Sequence, residues 1–202
     1  MDTPAAPDPL YAEALKRFQE LLERAKQSSL RQSTAMMLAT ADERGRPSVR
    51  AVLLKGVDEH GFIFYTNLES RKAQQMAANP RAALCFFWDP LEEQVLVEGD
   101  VHQVSNAEAD AYWATRDLES QIGAWASLQS RKLENRQTLE ARIAEYNAKF
   151  AGRPVPRPPH WSGFRVAPER IEFWKARPFR LNERMLYQKK STGLWTVNLL
   201  YP

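Results

Sequence analysis

The stretch Ala35–Asn67, AMMLATADERGRPSVRAVLLKGVDEHGFIFYTN, decides the predicted fold of this chain. It contains short apolar or β-branched runs separated by turn residues, a pattern typical of strands joined by tight connections. We assign the runs to three strands, Ala35–Thr40, Ser48–Val57 and Phe62–Asn67. Turn residues at Asp42–Arg46 and Asp58–Gly61 separate the strands, so two consecutive hairpins are expected. The centre of the fold is therefore predicted to be an antiparallel sheet.

The same reading extends outward from this stretch in both directions. On the N-terminal side we expect a flexible arm over residues 1–9, followed by an amphipathic helix over Leu10–Gln27. On the C-terminal side the expected helices are Ser70–Asn79, Asn106–Thr115 and Leu133–Phe150, and the expected strands are Ala82–Trp88, Gln94–Val104, Phe164–Trp174, Met185–Lys190 and Trp195–Leu200. These short strands, with helices between and around them, predict a mainly β fold with helices (α+β), a single antiparallel barrel domain over residues 10–202.

Composition and charge argue against several classes of protein. The net charge is +3, and Lys and Arg are interleaved with acidic residues, whereas nucleic-acid-binding proteins concentrate positive charge in one patch. No apolar run approaches the roughly 20 residues of a membrane span, and the N-terminus lacks a signal-peptide core, so we expect a cytoplasmic protein. His60, His102 and His160 lack metal-ligand spacing, so no metal site is expected. Cys85 lies in an apolar run and is interpreted as a small buried hydrophobe.

Any phosphate site in this chain is expected to use side chains, because the chain has only 8 glycines and no glycine-rich phosphate loop. The best candidate is Ser70-Arg71-Lys72, which opens a helix directly after a strand. A helix N-terminus attracts anions, so two cations in the first turn are unfavourable unless an anion lies there. The alternative is an exposed Arg-Lys pair. Arg50 and Lys55 flank an apolar run but would face opposite sides of a regular strand, which leaves Arg50 ambiguous.

A second candidate anion site combines Tyr112, Arg116 and Ser120. If the helix continues through this segment, Tyr112 and Arg116 are four residues apart and share a face. The alternative is a cation resting on an aromatic surface. Trp174, with arginines after it in the chain, is a candidate contact for a planar anionic ligand, although core packing explains Trp174 equally well.

Taken in chain order, these segments resemble the pyridoxine/pyridoxamine 5′-phosphate oxidase family. The matching motifs are Arg50-x-Val52-Leu53-Leu54-Lys55, Phe64-Tyr65-Thr66-Asn67, Ser70-Arg71-Lys72, Ser120-Gln121-Ile122-Gly123-Ala124-Trp125, Ile171-Glu172-Phe173-Trp174 and Arg180-Leu181. The resemblance implies an FMN-binding split β-barrel and a homodimer with its sites at the subunit interface. It also implies oxidation of pyridoxamine or pyridoxine 5′-phosphate to pyridoxal 5′-phosphate, with O2 as the acceptor and hydrogen peroxide as a product.

The resemblance also assigns roles to individual residues. It implies FMN contacts from Arg50, Ala51, Val52, Leu53, Leu54, Lys55, Tyr65, Thr66, Arg71, Lys72, Gln94, Gln129, Ser130, Trp174 and Arg184. It implies substrate contacts from Lys55, Tyr112, Arg116, Ser120, Arg180 and Asn182, with Arg180 and Asn182 as the catalytic pair. Asn182 stands where the family usually has His, and Leu199 stands where the family tail has Arg. Because Asn cannot titrate, the preferred substrate stays open.

Two other functions are compatible with these residues. A flavin oxidase of the phenazine-biosynthesis type would act on a tricyclic substrate without a phosphate, and the Tyr112, Arg116 and Ser120 set argues against it. A non-catalytic carrier of FMN or pyridoxal phosphate is the other alternative, motivated by Asn182.

Overall fold

The computed structural model describes residues 8–202, so most of the predicted arm over residues 1–9 lies outside the described residues. Helix α1 spans Pro9–Lys26, and the Asp8 carboxylate caps it by accepting a hydrogen bond from the Leu10 amide at 2.9 Å. The helix begins one residue earlier than predicted because an Asp cap followed by Pro is a favourable start. The Phe18 ring is fully buried and lies 4.8 Å from the Phe62 ring, so α1 closes over the barrel interior.

The other elements agree with most of the predicted pattern. The strands are β1 Ala35–Ala41, β2 Pro47–Leu53, β3 Gly56–Asp58, β4 Gly61–Asn67, β5 Arg81–Trp88, β6 Glu93–Gln103, β7 Trp161–Lys175, β8 Glu183–Lys189 and β9 Trp195–Leu200. The helices after α1 are α2 Arg71–Ala78, α3 Asn106–Ala114, α4 Leu118–Ala126 and α5 Arg136–Phe150, with short 3₁₀ turns at Asp89–Leu91 and Pro178–Arg180.

All nine described strands form one antiparallel sheet in the order β2-β1-β5-β6-β7-β4-β3, with β8 paired to β7 and β9 paired to β8. This confirms the predicted mainly β, antiparallel barrel with helical additions. Among the described strands β2 pairs only with β1, so the outer backbone edge of β2 is unpaired within the protomer.

Strand β7 organises the sheet because its two halves have different partners. Its first half pairs with β4 and its second half pairs with β8. The register with β6 shifts between Glu98 and Gly99, where β7 carries one extra residue, and such a bulge bends a strand. Gly99 allows this close crossing, because a Cβ there would lie 1.9 Å from the Ala167 carbonyl oxygen. The two ends of β7 therefore belong to different parts of the sheet, one beside β4 and the other beside β8.

Four local predictions differ from the structure. The predicted strand Ser48–Val57 is two strands, β2 and β3, so nine strands are described where eight segments were predicted. Helix α4 was missed; it begins because the Asp117 carboxylate caps the Ser120 amide at 2.7 Å. Helix α5 begins at Arg136 rather than Leu133, since Asn135 caps it. Helix α3 ends at Ala114, so Arg116 is not one helical turn after Tyr112.

Candidate active site

The cationic cluster, as we call Arg50, Arg71 and Lys72, forms where α2 packs on β1 and β2. Along β2 the side chains alternate, and Arg50 lies on the side that faces α2. The Arg50 guanidinium donates to the Thr40 hydroxyl at 2.6 Å and to the Leu38 carbonyl at 3.1 Å. Burial and then the neighbouring Arg71 lower the pKa of Arg50. The tertiary structure thus resolves the ambiguity of Arg50 by placing it beside the two cations of α2.

Lys72 is the most deeply buried member of the cationic cluster, with 9% of the residue exposed. Its ammonium donates to the hydroxyls of Thr66 at 2.9 Å and Ser70 at 3.2 Å, and to the amide oxygen of Gln129 at 3.3 Å. Burial and then the Arg50 charge lower the pKa of Lys72 to about 8. Ser70 occupies the N-cap position of α2 without a side-chain cap bond. Its hydroxyl therefore serves Lys72 rather than the helix.

The loop after α4 completes this cluster from a distant part of the chain. The Ser130 hydroxyl accepts from the Arg71 backbone amide at 3.2 Å, and Gln129 contacts Thr66 and Lys72. Among the described residues, none of the ion pairs involves a member of the cationic cluster. Three cations without a carboxylate partner among the described residues, two of them in the first turn of a helix, are an arrangement suited to a dianion such as a phosphate.

The second site is the aromatic–arginine pocket, which we define by Tyr65, Tyr112, Arg116 and Trp161. The Tyr65 ring stacks on Tyr112 at 4.0 Å and on Trp161 at 5.2 Å. The Arg116 guanidinium lies 5.0 Å above the Trp161 ring and donates to the Ser120 carbonyl at 2.9 Å. Its Nε is buried without a hydrogen-bond partner among the described residues, and burial lowers the pKa of Arg116. The predicted trio of Tyr112, Arg116 and Ser120 is brought together, although by a turn rather than by one helical face.

Gln94, Trp174 and Arg184 form a third group on neighbouring strands. Trp174 is the ladder partner of both Gln94 on β6 and Arg184 on β8. The Arg184 guanidinium makes two hydrogen bonds to the Glu172 carboxylate, at 2.7 and 3.1 Å. Thr66 of the first site pairs with Ser162 near the start of β7, whereas Trp174 lies near its end. At about 3.3 Å per residue, roughly 40 Å of strand length lies between these two positions along β7, and among the described residues no hydrogen bond or ion pair joins the third group to the cationic cluster.

The remaining predicted residues lie in exposed connections or on the outermost strand. Arg180 is exposed in the β7–β8 loop with a φ of +62°, next to Phe179 at +60°. The Asn182 side-chain oxygen accepts from the Arg177 amide at 3.1 Å. Lys55 is exposed between β2 and β3. Of the neighbouring apolar residues, Leu54 is buried, and Ala51, Val52 and Leu53 belong to outermost strand β2.

Two residues of these sites were not predicted from the sequence. Gln75 of α2 contacts Arg50. Its position three residues after Lys72 places both residues on one face of the helix, and this spacing could have indicated Gln75 as a member of the site. Trp161 joins the aromatic–arginine pocket from the start of β7, and nothing local to its segment indicates that role. Among the described residues, no group of acidic, His or Cys side chains is arranged to hold a metal ion, and no helix is long and apolar enough to cross a membrane.

Two family models match this chain over most of its length. Residues 22–150 match the family model described as pyridoxamine 5′-phosphate oxidase, and residues 161–202 match the pyridoxine 5′-phosphate oxidase C-terminal dimerisation region. The chain is 57% identical over 196 residues to a pyridoxine/pyridoxamine 5′-phosphate oxidase of Myxococcus xanthus (strain DK1622), covering 97% of this chain and 92% of that protein. It is 58% identical over 195 residues to the enzyme of that name from Alkalilimnicola ehrlichii, covering 96% and 99%.

Among solved structures, PhzG from Burkholderia lata 383, in complex with tetrahydrophenazine-1-carboxylic acid, superposes with a TM-score of 0.88 at 30% identity and 98% coverage of both chains. A pyridoxamine 5′-phosphate oxidase-related, FMN-binding protein from Nostoc punctiforme has a TM-score of 0.74 at 20% identity, covering 93% of this chain and 96% of that one, and so shares the fold. With the family models and the identities above, these matches assign the chain. It belongs to the pyridoxine/pyridoxamine 5′-phosphate oxidase family of FMN-dependent oxidoreductases.

Proposed function

We propose that this enzyme oxidises pyridoxamine 5′-phosphate or pyridoxine 5′-phosphate to pyridoxal 5′-phosphate, with O2 as the acceptor and release of hydrogen peroxide. The observation that carries the proposal is the presence of two separate sites suited to phosphates in a chain of this family. One is the cationic cluster, and the other is centred on Arg116, whose buried Nε lacks a partner in the described residues. A cofactor and a substrate that each carry a phosphate require two such sites.

The cationic cluster fits the phosphate of FMN. Arg50, Arg71 and Lys72 supply positive charge, and the Ser130 and Thr66 hydroxyls lie within the same network. Burial and then the Arg50 charge lower the pKa of Lys72, and a bound anion would offset both effects. The unpaired outer edge of β2, over Ala51–Leu53, offers backbone groups to the rest of the cofactor. When bound, FMN supplies the redox chemistry, taking a hydride equivalent from the substrate and passing electrons to oxygen.

The aromatic–arginine pocket is the proposed site of the substrate phosphate. The Arg116 guanidinium is held over an aromatic surface with donors left over, and the Tyr112 ring and Ser120 flank it. Fixing the phosphate at one end of the substrate orients the reacting carbon at the other end, so that the binding energy helps to hold the substrate in a reactive geometry. Lys55, Arg180 and Asn182 are the proposed contacts around that reacting end. Because Asn182 is uncharged, its contribution would be a hydrogen bond rather than proton transfer.

A second copy of the chain is proposed to complete each site. Among the described residues, no hydrogen bond or ion pair within one protomer joins Gln94, Trp174 or Arg184 to the cationic cluster, and Trp174 lies near the end of β7 opposite to the end that pairs with β4. The outer sheet face is apolar and open, with exposed fractions of 48% for Met37 and 55% for Phe87. Residues 161–202 match a dimerisation region, which supports a homodimer. In such a dimer the third group of one protomer would meet the cationic cluster of its partner.

The test is turnover by the FMN-loaded protein. Each phosphorylated substrate is added in air, and pyridoxal 5′-phosphate and peroxide are followed together, with equal amounts of both expected. If the FMN-loaded protein formed neither product from pyridoxamine 5′-phosphate and neither from pyridoxine 5′-phosphate, the proposal would be contradicted. Anaerobic mixing separates an enzyme from a carrier, since only an enzyme bleaches the flavin absorption when substrate is added.

The similarity to PhzG favours one specific alternative, oxidation of a tricyclic phenazine precursor without a phosphate. Arg116 would discriminate between the two substrates, because a substrate without a phosphate would leave its buried Nε without a partner among the described residues. If Arg116→Ala left activity on the preferred substrate unchanged, the phenazine alternative would gain support. A large loss confined to the phosphorylated substrates would exclude it.

A further inference from the structure

Gln75 connects helix α2 to the two strands beneath it. The residue is 5% exposed. Its side-chain oxygen accepts hydrogen bonds from the Thr40 hydroxyl at 2.6 Å, from Ser48 at 3.0 Å and from Arg50 Nη2 at 3.3 Å. Its amide nitrogen donates to the Ser48 hydroxyl at 2.7 Å. One buried side chain thus joins α2, which carries Arg71 and Lys72, to the strand that carries Arg50.

The orientation of this amide follows from its partners. A guanidinium has donors only, so the atom of Gln75 that faces Arg50 must be the amide oxygen. Thr40 reinforces the arrangement, because its hydroxyl accepts from Arg50 Nη1 at 2.6 Å and donates to the same oxygen of Gln75. Two donors of Arg50 are therefore held directly or indirectly by Gln75, which restricts the position of the guanidinium.

The charge of these acceptors matters as much as their position. Arg50 donates to a carbonyl, a hydroxyl and an amide, and Lys72 donates to two hydroxyls and an amide. All six acceptors are neutral. A carboxylate at position 75 would form a buried ion pair with Arg50 and cancel charge that a bound phosphate would otherwise use.

We propose that Gln75 is a positioning residue for the cofactor phosphate: it orients Arg50 and, being uncharged, leaves the charge of Arg50 to the ligand. The inference rests on the proposed role of the cationic cluster as the FMN phosphate site. It predicts that the unneutralised charge of the cluster lowers the stability of the flavin-free protein and raises its affinity for FMN. Adding one negative charge at position 75, without changing the shape of the side chain, should therefore raise that stability and lower that affinity.

The test compares Gln75→Glu with the wild type by titrating flavin-free protein with FMN and with riboflavin, which lacks the phosphate. We expect FMN affinity to fall by about tenfold to a hundredfold, the effect of losing one charge-assisted contact, and riboflavin affinity to stay unchanged. We also expect the flavin-free variant to resist urea better than the wild type, because the new carboxylate relieves the repulsion. Gln74→Glu is the matched control, since Gln74 is the exposed neighbour on the same helix; it should alter neither affinity.

Opposite changes in stability and FMN affinity are the signature of the proposal. Equal FMN binding by Gln75→Glu and wild type would overturn it, as would parallel loss of FMN binding, riboflavin binding and stability. If Gln75→Glu does not fold, Gln75→Met removes the orienting bonds without adding charge. That variant should bind FMN more weakly and riboflavin normally, and unchanged FMN binding would again overturn the proposal. None of these measurements requires turnover, so failure of the proposed reaction is distinguishable from failure of this inference.

Discussion

Replacing Lys72 with methionine should remove a pH dependence from the stability of the flavin-free protein. Methionine has a similar length and flexibility but no charge. In the wild type, burial and then the Arg50 charge lower the pKa of Lys72 to about 8, and 9% of the residue is exposed. In the unfolded chain the lysine returns to its ordinary pKa of 10.5. The native state therefore holds this proton less tightly than the unfolded state does.

The size of the effect follows from that difference. The interval between 10.5 and about 8, at about 1.36 kcal/mol per pH unit, corresponds to about 3 kcal/mol. Between these two pKa values the unfolded state binds more protons than the native state, so the free energy of unfolding rises with pH. The penalty for the charged Lys72 is therefore complete below pH 8 and is relieved as the pH approaches 10.5. The Lys72→Met variant carries no such free-energy penalty at any pH.

Urea unfolding of the flavin-free proteins at about pH 7 and about pH 10 measures the effect. Other titrating groups are common to both proteins and cancel in the difference between wild type and variant. The free energy of unfolding of the wild type, minus that of Lys72→Met, should be about 2–3 kcal/mol larger at about pH 10 than at about pH 7. Lys190→Met, in the exposed β8–β9 turn, is the control and should follow the wild type. A wild-type-minus-Lys72→Met difference that is equal at both pH values would refute the assignment of Lys72 as a buried, repelled cation.

Three further changes test the two phosphate sites and the bend in β7. Arg71→Ala should weaken FMN binding by about 1.5–3 kcal/mol without changing riboflavin binding; equal losses for both flavins would contradict the phosphate assignment. Arg116→Ala should raise the KM for pyridoxamine 5′-phosphate about tenfold or more but leave the activity on pyridoxamine nearly unchanged, and steady-state kinetics with both substrates decides. Gly99→Ala should cost about 1–3 kcal/mol of stability, because its Cβ would overlap the Ala167 carbonyl, whereas Gly123→Ala, with open space around it, is the control for thermal unfolding.

Several features were readable from local sequence because their causes are local. The hairpins over Ala35–Asn67 follow from alternating apolar residues and from turn residues within a few positions of one another. The conflict at Arg71 and Lys72 was also visible, because a helix start and two cations occur together in the chain. The ordered motifs then predicted the family, which the comparisons confirmed. Three of the four local errors concerned helices, where the caps Asp117 and Asn135 decide where a helix begins, and the fourth was the single strand predicted over Ser48–Val57, which is two strands.

The sequence by itself therefore determined most of the elements, the family and the residues that carry charge. Only the tertiary structure decided which of those residues meet. Arg50 joins Lys72 because β2 packs under α2, and Gln129 reaches both Thr66 and Lys72 across a long stretch of chain. Arg184 belongs to a separate group because the bend in β7 directs its two halves to different partners. Strand propensity and helix capping act over a few residues, whereas strand register and packing depend on contacts between segments distant in sequence, and no local pattern encodes those contacts.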